Sequence, residues 1–356
     1  MTSIHLGERH LGLSVEIDAR LDAFFAERLT LAARYGSEYQ RLWAEARAAS
    51  EGGKRIRPRF VLSAFEGLGG IDRAAAVDTA VAFELLHTAF LLHDDVIDRD
   101  TVRRGRLNLS GAFAADALAR GVGVQRAGLW GQAAGILAGD LLIHASQSLV
   151  ARVDAPSGTR DTLLDLLDHS VFVTAAGELA DVSFSVRLGE ARLPDVLAMT
   201  ERKTATYSFA GPLTAGAILA GAGGDILEAL AEYGRLLGVA FQLGDDLLGV
   251  FGDQDVTGKS VVSDLREGKE TSLIAYARAT TAWERVEPLF GRHDLSAAEG
   301  RMLARFLDEC GARAFVENLI DEHVARAAAV IDASDLPPVL ADELRSVARS
   351  CIGRIV

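Results

Sequence analysis

Two groups of aspartates, about 150 positions apart, are the residues of this chain best suited to chemistry. The first group is Asp94, Asp95 and Asp98, and the second is Asp245 and Asp246. Each group interrupts an apolar, helix-like stretch, and residues three and four apart on a helix share a face. Carboxylates crowded in this way need an opposing charge, and hard divalent cations prefer carboxylate oxygens. The pattern predicts Mg²⁺ sites, unless each group is a solvated helix end or is paired with arginine.

Basic residues accompany the aspartates, although the chain carries a net charge of −13. The stretch 51–59 contains two glycines and four cations, and Pro58 is placed to open the next helix. Carboxylates that hold Mg²⁺, combined with Lys and Arg on flexible backbone, form the set needed to bind a diphosphate. Further cations lie near the aspartate groups; they are Arg103, Arg104, Arg106, Lys203, Lys259 and Lys269.

Helices must position these residues. Strand-like alternation is absent, and apolar residues recur at helical spacing in 72–98, 125–152, 159–186 and 224–251. Nothing in the 356 residues resembles a linker, because Pro is scarce and no Gly/Ser-rich run divides the chain. We predict an all-α fold in a single domain that spans residues 1–356.

Composition argues against several classes of protein. A strongly acidic chain is a poor partner for nucleic acid, whose phosphate backbone needs cationic surfaces. The amino terminus carries Glu8, Arg9 and Glu16 and lacks the apolar centre of a signal peptide, so we expect a cytoplasmic protein. The two cysteines, Cys310 and Cys351, fit no metal spacing and suggest no disulfide framework, as expected in a reducing compartment.

One uncharged run, Thr204 to Gly224, is 21 residues long and meets the length criterion for a membrane helix. It contains five glycines, Pro212 and several hydroxyl residues, so its transfer into lipid would be poor compared with that of a Leu-rich segment. We therefore predict a buried helix here and no membrane span.

Five segments together resemble the trans-isoprenyl diphosphate synthases, in order and in spacing over most of the chain. They are GGKRIRP at 52–58, ELLHTAFLLHDDVIDRDTVRRGR at 84–106, ERKTATYS at 201–208, FQLGDDLLGVFGD at 241–253 and TGKSVVSDLREGKET at 257–271. The resemblance implies a helical bundle of the isoprenoid synthase type with a central active-site cavity. It also implies a homodimer that condenses isopentenyl diphosphate with an allylic diphosphate.

The resemblance further implies a role for individual residues. Three Mg²⁺ ions would lie between the two aspartate motifs, with Asp94, Asp98 and Asp245 as ligands. Asp95 and Asp246 would act through metal-bound water or by orienting ligands. Isopentenyl diphosphate would be bound by Lys54, Arg57, His87 and Arg104. The allylic diphosphate would be contacted by Arg103, Lys203, Lys259 and Lys269. Thr204 and Gln242 would lie near the reacting carbons.

Two histidines near the first aspartates have different predicted roles. His87 lies seven positions before Asp94, two helical turns away and on nearly the same face, which favours a binding role over that of a satisfied core histidine. His93 directly precedes Asp94, and adjacent helical residues point apart, so we expect it to be structural. Glu178 and Asp140 are acids in apolar stretches to which the sequence assigns no role.

The chemistry implied is ionisation. Mg²⁺ and the cations stabilise the charge that develops on the departing diphosphate, so that the allylic C–O bond breaks to leave a delocalised carbocation. The double bond of isopentenyl diphosphate attacks this cation, and the released diphosphate is the expected base for the final proton. No nucleophilic side chain is required, and no Ser/His/Asp or Cys/His set is evident.

Two departures from the family pattern occur. Gly249 stands where the second motif usually has a third aspartate, although Asp253 and Asp264 remain nearby. Leu107 and Asn108 replace the more usual Pro-Thr after Arg106, which affects only local loop geometry.

Product length depends on what blocks the growing chain along the helix that carries Asp94. The first residues that could block the chain lie about one turn upstream of Asp94, at Ala89 and Phe90. A helical turn rises about 5.4 Å, close to one extended prenyl unit, and aromatics at these two positions shorten the product in the family. With one small and one aromatic residue, we predict geranylgeranyl diphosphate, with farnesyl diphosphate as the alternative.

Three other functions compete. A class I terpene cyclase would share the fold and the first aspartate motif, but it has no second diphosphate to occupy Lys54, Arg57 and Arg104. A metal-dependent phosphohydrolase built around His93 and Asp94 would need several converging histidines, and the eight in the chain are scattered. A non-catalytic partner subunit of a prenyl synthase is disfavoured by the intact aspartate motifs.

Overall fold

Helices make up nearly all of the fold, as the sequence predicts. The computed structural model describes residues 2–189, 191–252 and 263–352, and within them the side chains of 15–189, 191–252 and 265–350. Each of the four periodic stretches becomes one long helix whose ends lie within two residues of the predicted ones. The all-α prediction is confirmed.

Fifteen α-helices are described in these ranges. They are α1 (Thr2–Ala32), α2 (Ser37–Ser50), α3 (Ile56–Gly67), α4 (Arg73–Ile97), α5 (Leu109–Ala119), α6 (Val124–Ala151), α7 (Ser157–Ser185), α8 (Leu193–Thr200), α9 (Gly211–Leu219), α10 (Gly224–Phe251), α11 (Ser263–Glu267), α12 (Ser272–Arg278), α13 (Ala297–Glu309), α14 (Ala312–Asp332) and α15 (Pro338–Ile352). A π-helical segment, Glu201–Ala210, joins α8 to α9, and short 3₁₀ turns occupy Ala33–Tyr35, Trp283–Arg285 and Glu287–Leu289.

These helices group into two compact units. The first comprises Met1–Leu167 with Thr214–Ala222, and the second comprises Asp168–Leu213 with Gly223–Val356.

The first unit is built around α4. Asp72 caps the start of this helix by accepting a hydrogen bond from the Ala75 amide at 3.1 Å. Most of α4 is buried against α3 and α6. A Cβ at Gly139 of α6 would lie 2.2 Å from the His93 ring, so only glycine lets the two helices approach this closely.

The second unit is built around α10, which packs on the π-helical segment and on α14. Gly238 provides the close approach, since a Cβ there would lie 2.5 Å from Ala205. Tyr233 is fully buried, and its hydroxyl donates a 2.7 Å hydrogen bond to the carbonyl of Leu344 on α15. Buried tyrosines usually need such a partner, so this bond fixes α15 to the core of the unit.

The prediction of a buried helix over Thr204 to Gly224 is correct for much of the run, but the helix ends at Leu219. Part of it is π-helical, α9 follows, and the chain then turns at Gly221, whose φ is +74°, before α10 begins at Gly224. The glycines that made the run a poor membrane segment also end the helix. By length and composition, α4 and α6 could each cross a membrane, but 78% of the apolar window of α4 is buried inside the protein.

A small hairpin was not predicted. Val102–Arg103 and Arg106–Leu107 pair in antiparallel fashion, with Val102 opposite Leu107. The central residues of the turn, Arg104 and Gly105, have φ of +54° and +73°, as a tight two-residue hairpin turn requires. Strands of two residues are too short to give an alternating pattern in the sequence.

Candidate active site

The first aspartate group lies at the C-terminal end of α4. Asp94 and Asp95 lie in its last turn, and Asp98 caps its end, with the Asp98 amide donating to the Asp94 carbonyl at 2.8 Å. The carboxyl end of a helix carries partial negative charge, so three carboxylates there are electrostatically unfavourable unless cations approach. The placement therefore favours a cation site.

Arg103 of the hairpin supplies part of that positive charge. Its Nε donates to Asp95 at 2.7 Å, and its terminal nitrogen donates to Asp94 at 3.2 Å. Asp95 is only 3% exposed, whereas Asp98 is exposed. Burial raises the pKa of the Asp95 carboxyl, and Arg103 opposes this shift. The pairing with arginine that the sequence left open thus involves mainly the buried Asp95.

Arg104 lies over the glycine turn. Its guanidinium donates to the carbonyl of Glu51 at 2.8 Å. Cβ atoms at Gly52 and Gly53 would lie 3.4 Å from its nitrogens, so the guanidinium rests on bare backbone. Both glycines have positive φ, +76° and +84°. The hairpin and the glycine turn together form one basic surface.

His87 of α4 is half-buried and within electrostatic reach of this basic surface. Burial lowers the pKa of its imidazole well below 6.5, and four arginines lower it further; they are Arg57, Arg104, Arg103 and Arg55, in decreasing order. The imidazole is therefore neutral at pH 7. Lys54 is exposed on the adjoining turn. We call Lys54, Arg57, His87 and Arg104 the cradle; these are the residues expected to bind isopentenyl diphosphate.

Arg55, one of the four cations of the glycine turn, is turned away from solvent. It is 8% exposed, and its guanidinium bonds to Glu84 at 2.8 Å and to the Ser50 carbonyl at 2.7 Å. The sequence gives no sign of this difference among neighbouring cations.

In the second unit, the aspartate pair on α10 is anchored by an amide. Asp245 is exposed, whereas Asp246 is 6% exposed and accepts a 3.0 Å hydrogen bond from Gln242. Thr204 in turn donates to the Gln242 side-chain oxygen at 3.1 Å. The chain of contacts therefore joins three of the predicted site residues, Thr204, Gln242 and Asp246, and leaves the Asp245 carboxylate accessible.

Lys203 is held between two acids of α7. Its ammonium lies 2.6 Å from Asp181 and 2.9 Å from Glu178. A Cβ at Gly177 would lie 2.3 Å from the Lys203 amide, so glycine permits the backbone of α7 to reach the π-helical segment. The sequence assigned Glu178 no role and missed Asp181. Their spacing of three on a helix, which puts both on one face, was the available signal.

Lys203 and Thr204 both belong to the π-helical segment. Such turns are rare and occur frequently at functional sites. Lys269 precedes α12 and is followed by Glu270, which is 4% exposed and paired with Arg278. Lys259 and Asp253 lie outside the described residues, as does the side chain of Asp264.

The remaining residues of the first group are also on α4. Phe90 is partly exposed one turn before Asp94, whereas Ala89 is completely buried. His93 lies 3.3 Å from Asp140 of α6 and 3.3 Å from the Ile136 carbonyl, contacts that tie α4 to α6. Asp140 thus has a structural partner.

The carboxylates of the site are suited to binding a metal ion together with water and substrate, but they do not form a complete coordination site by themselves. Within the described residues, no three His, Cys, Asp or Glu side chains form a group able to hold an ion by themselves. Mg²⁺ usually takes one or two carboxylates and completes its shell with water and substrate phosphate oxygens. Asp94 and Asp98, one turn apart on the same helix end, supply oxygen ligands of this kind.

Comparisons with known proteins agree with this set of residues. The family model for polyprenyl synthetase matches residues 44–303. The geranylgeranyl diphosphate synthase of Methanosarcina mazei is 33% identical over 283 residues, which cover 79% of this chain and 80% of that protein. The (2E,6E)-farnesyl diphosphate synthase of Mycobacterium tuberculosis is 32% identical over 355 residues, covering 97% and 92%.

Solved structures give the same result. A geranylgeranyl pyrophosphate synthase from Corynebacterium glutamicum, complexed with isoprenyl diphosphate and magnesium, has a TM-score of 0.88 at 28% identity. It is matched over 95% of this chain and 97% of that one. A polyprenyl synthase from Caulobacter crescentus, complexed with calcium and isoprenyl diphosphate, has a TM-score of 0.77 at 29% identity, with 98% of each chain covered. The chain therefore belongs to the polyprenyl synthetase family and is a prenyltransferase.

Proposed function

We propose that this prenyltransferase condenses isopentenyl diphosphate with allylic diphosphates and releases geranylgeranyl diphosphate. The observation that carries the proposal is the cradle, in which a half-buried, neutral His87 is under the electrostatic influence of several arginines. A dense set of cations is suited to a multiply charged anion. A terpene cyclase, which ionises one diphosphate and accepts no second one, would have no use for it.

The cradle is preorganised for isopentenyl diphosphate. Arg104 is fixed by its bond to Glu51 and by its position at the tip of the hairpin, and a neutral imidazole at His87 can donate one hydrogen bond without adding charge. Preorganised donors lose less conformational entropy when the ligand binds. Lys54 and Arg57 complete the set.

The allylic diphosphate is the expected partner of the residues that already contact carboxylates. Arg103 bonds to Asp94 and Asp95, and Lys203 bonds to Asp181 and Glu178. Each cation is thereby oriented before substrate arrives. Lys269 and Lys259 are the other cations proposed for this diphosphate.

Asp94, Asp98 and Asp245 are the proposed ligands of Mg²⁺, with three ions per active site. Asp245 and Asp98 are exposed, and Asp94 is partly so, which a ligand to a hydrated ion requires. Mg²⁺ bound there supplies Lewis-acid stabilisation of the charge on the leaving diphosphate. The relatives complexed with magnesium or calcium support this assignment.

Thr204 and Gln242 are proposed to face the allylic cation. Because Gln242 donates its amide hydrogen to Asp246, its oxygen is the end that accepts from Thr204 and carries the negative side of the amide dipole. Oxygen dipoles held in this way stabilise positive charge on nearby carbons without reacting with it.

Phe90 and Ala89 support geranylgeranyl diphosphate as the proposed product. Phe90 is the aromatic that is partly exposed one turn before Asp94, and the small Ala89 beside it adds no second obstruction. Farnesyl diphosphate is the second candidate, because relatives that make either product are about equally similar to this chain.

We further propose that residues 1–356 form one domain and that the protein acts as a cytoplasmic homodimer without membrane spans or nucleic-acid partners. The family match at 44–303 runs through both compact units. On α6, Val124, Leu129 and Leu137 are 78%, 66% and 55% exposed. Asp140 and His144 on the same helix are also exposed and are poorly suited to contact with lipid. We therefore propose that a second copy of the chain packs against the exposed apolar residues of α6.

Product analysis tests the function. Purified protein is incubated with Mg²⁺, labelled isopentenyl diphosphate and, separately, dimethylallyl, geranyl or farnesyl diphosphate, and the longest product is identified by chromatography. A C20 trans-prenyl diphosphate is expected from each primer. A C15 limit would replace the proposed product. A hydrocarbon formed from an allylic diphosphate without isopentenyl diphosphate would contradict the synthase function, and inactivity of the isolated chain would indicate a partner subunit.

A further inference from the structure

The glycine turn before α3 is conformationally strained. Gly52 and Gly53 have positive φ, and Arg55 follows with a φ of +49°. Glycine adopts this left-handed region readily, but a residue with a long side chain does so only when its surroundings hold it there. Lys54 lies inside this turn, so the position of a cradle residue depends on what holds Arg55.

Three acceptors hold Arg55. Its terminal nitrogen donates to the Ser50 carbonyl at 2.7 Å and to Glu84 at 2.8 Å, and its Nε donates to Asp18 of α1 at 2.9 Å. Asp18 is half-exposed, whereas Glu84 is 5% exposed. The buried contact between Arg55 and Glu84 is therefore the one that water screens least.

Glu84 connects this contact to the cradle. It lies one turn before His87 on α4, so the two side chains share a face of the helix. The second carboxylate oxygen, Oε2, is buried and has no hydrogen-bond partner in the part of the chain that the structure describes. Such an oxygen is costly unless it answers nearby positive charge, and Glu84 does act electrostatically on Arg104.

We propose that Arg55 and Glu84 are positioning residues for the cradle. Their ion pair holds the strained turn against α4, so that Lys54 and Arg57 converge with His87 and Arg104 on one diphosphate. Neither residue contacts the diphosphate in this scheme. The inference rests on the proposed function, since it assumes that the cradle binds isopentenyl diphosphate.

The test compares KM for each substrate in variants of the pair. In Glu84→Gln, the loss of charge weakens the hold on the turn while its shape is kept, and KM for isopentenyl diphosphate is expected to rise about tenfold. KM for farnesyl diphosphate and kcat should change less than about twofold. A buried partner removed alone leaves the other uncompensated, whereas removing both relieves that cost. The double variant Arg55→Gln with Glu84→Gln should therefore recover part of the lost melting temperature, while KM for isopentenyl diphosphate stays raised because the turn is no longer held.

Arg73→Gln is the matched control, because Arg73 forms ion pairs in the same unit with Glu16 and Glu66 and is itself 44% exposed. It should leave both KM values unchanged. Melting temperatures are measured for every variant, and isopentenyl diphosphate binding is measured by calorimetry.

Two outcomes would overturn the inference. One is a lower melting temperature in Glu84→Gln with both KM values unchanged, which would make the pair merely structural. The other is an equal rise in both KM values. A wild-type protein that binds no isopentenyl diphosphate would instead refute the proposed function itself.

Discussion

Lys203 and Asp181 form an ion pair of 2.6 Å that joins the π-helical segment to α7. Lys203 also contacts Glu178 at 2.9 Å, so two carboxylates orient a single ammonium group. If Lys203 binds the allylic diphosphate as proposed, a side chain oriented in this way loses little conformational entropy on binding.

Asp181→Asn is expected to raise KM for the allylic diphosphate by about tenfold, because a hydrogen bond to a charged group contributes about 1.5–3 kcal/mol and tenfold corresponds to about 1.4 kcal/mol. KM for isopentenyl diphosphate should remain unchanged. Steady-state kinetics with one substrate saturating checks both values. Glu322→Gln, at an exposed ion pair on α14, is the control. Equal effects of Asp181→Asn on both substrates would show that the pair only stabilises the fold.

The metal assignment predicts different results for the first and second aspartates of each motif. Asp94→Asn and Asp245→Asn should each lower kcat by about 10²–10³, since each removes a group that stabilises developing charge. The second aspartates, Asp95 and Asp246, are buried and hydrogen-bonded, so their replacement by Asn should cost about 10–100-fold, as for residues that orient metal ligands.

The same variants are compared over a magnesium titration after the metal has been removed with a chelator. Wild-type activity should vanish with the chelator and return with Mg²⁺. Asp94→Asn should need more Mg²⁺ for half-maximal activity than the wild type does. Full activity in chelator would contradict the metal assignment.

Stability should depend on pH through His87. Above pH 6.5 the imidazole is neutral in both the folded and the unfolded chain, because the pKa in the folded state is lowered well below 6.5. Below pH 6.5 the unfolded chain binds a proton that the folded protein does not. The free energy of unfolding therefore decreases as the pH is lowered. The contribution of one group can reach about 1.4 kcal/mol per pH unit.

His87→Asn should therefore lose less stability than the wild type between pH 6.5 and pH 5. Denaturant unfolding at several pH values measures the difference, and the other titrating groups cancel because both proteins contain them. His293→Asn, at an exposed histidine, should keep the wild-type slope. Parallel pH curves for the wild type and His87→Asn would contradict the lowered pKa of the His87 imidazole.

Product length should respond to Phe90 and Ala89 in opposite directions. Phe90→Ala removes a side chain that would block the growing prenyl chain one helical turn before Asp94. The product should therefore lengthen by one or more prenyl units. Ala89→Phe should shorten it. Since Ala89 is completely buried, the larger side chain should also destabilise the fold by about 1–3 kcal/mol. Chromatography of the products measures the lengths. Unchanged lengths in both variants would show that other residues limit the length of the product.

The fold could be predicted well because long helices with an apolar face show apolar residues at helical spacing in the sequence. The stretch 224–251 coincides with α10, and 72–98 differs from α4 by one residue at each end. The hairpin at 102–107 and the π-helical segment were missed, since elements this short or this irregular leave no periodic pattern.

For the site, residue types were predictable and their pairing was not. Nothing in the run Lys54, Arg55, Ile56, Arg57 distinguishes the buried Arg55 from its neighbours; its partner Glu84 is 29 positions away. Likewise, Lys203 is 22 positions from Asp181. Such contacts depend on helix packing, which the local sequence does not encode.

The central claim is that the two diphosphates occupy separate cationic sites, and a crossed pair of variants tests it most directly. Arg104→Gln in the cradle and Lys203→Gln in the π-helical segment are compared by KM for each substrate. The account predicts that Arg104→Gln raises KM for isopentenyl diphosphate about tenfold or more, with little effect on the allylic substrate, and that Lys203→Gln does the reverse. If each variant weakened both substrates equally, the two sites would not be separate and the account would be wrong.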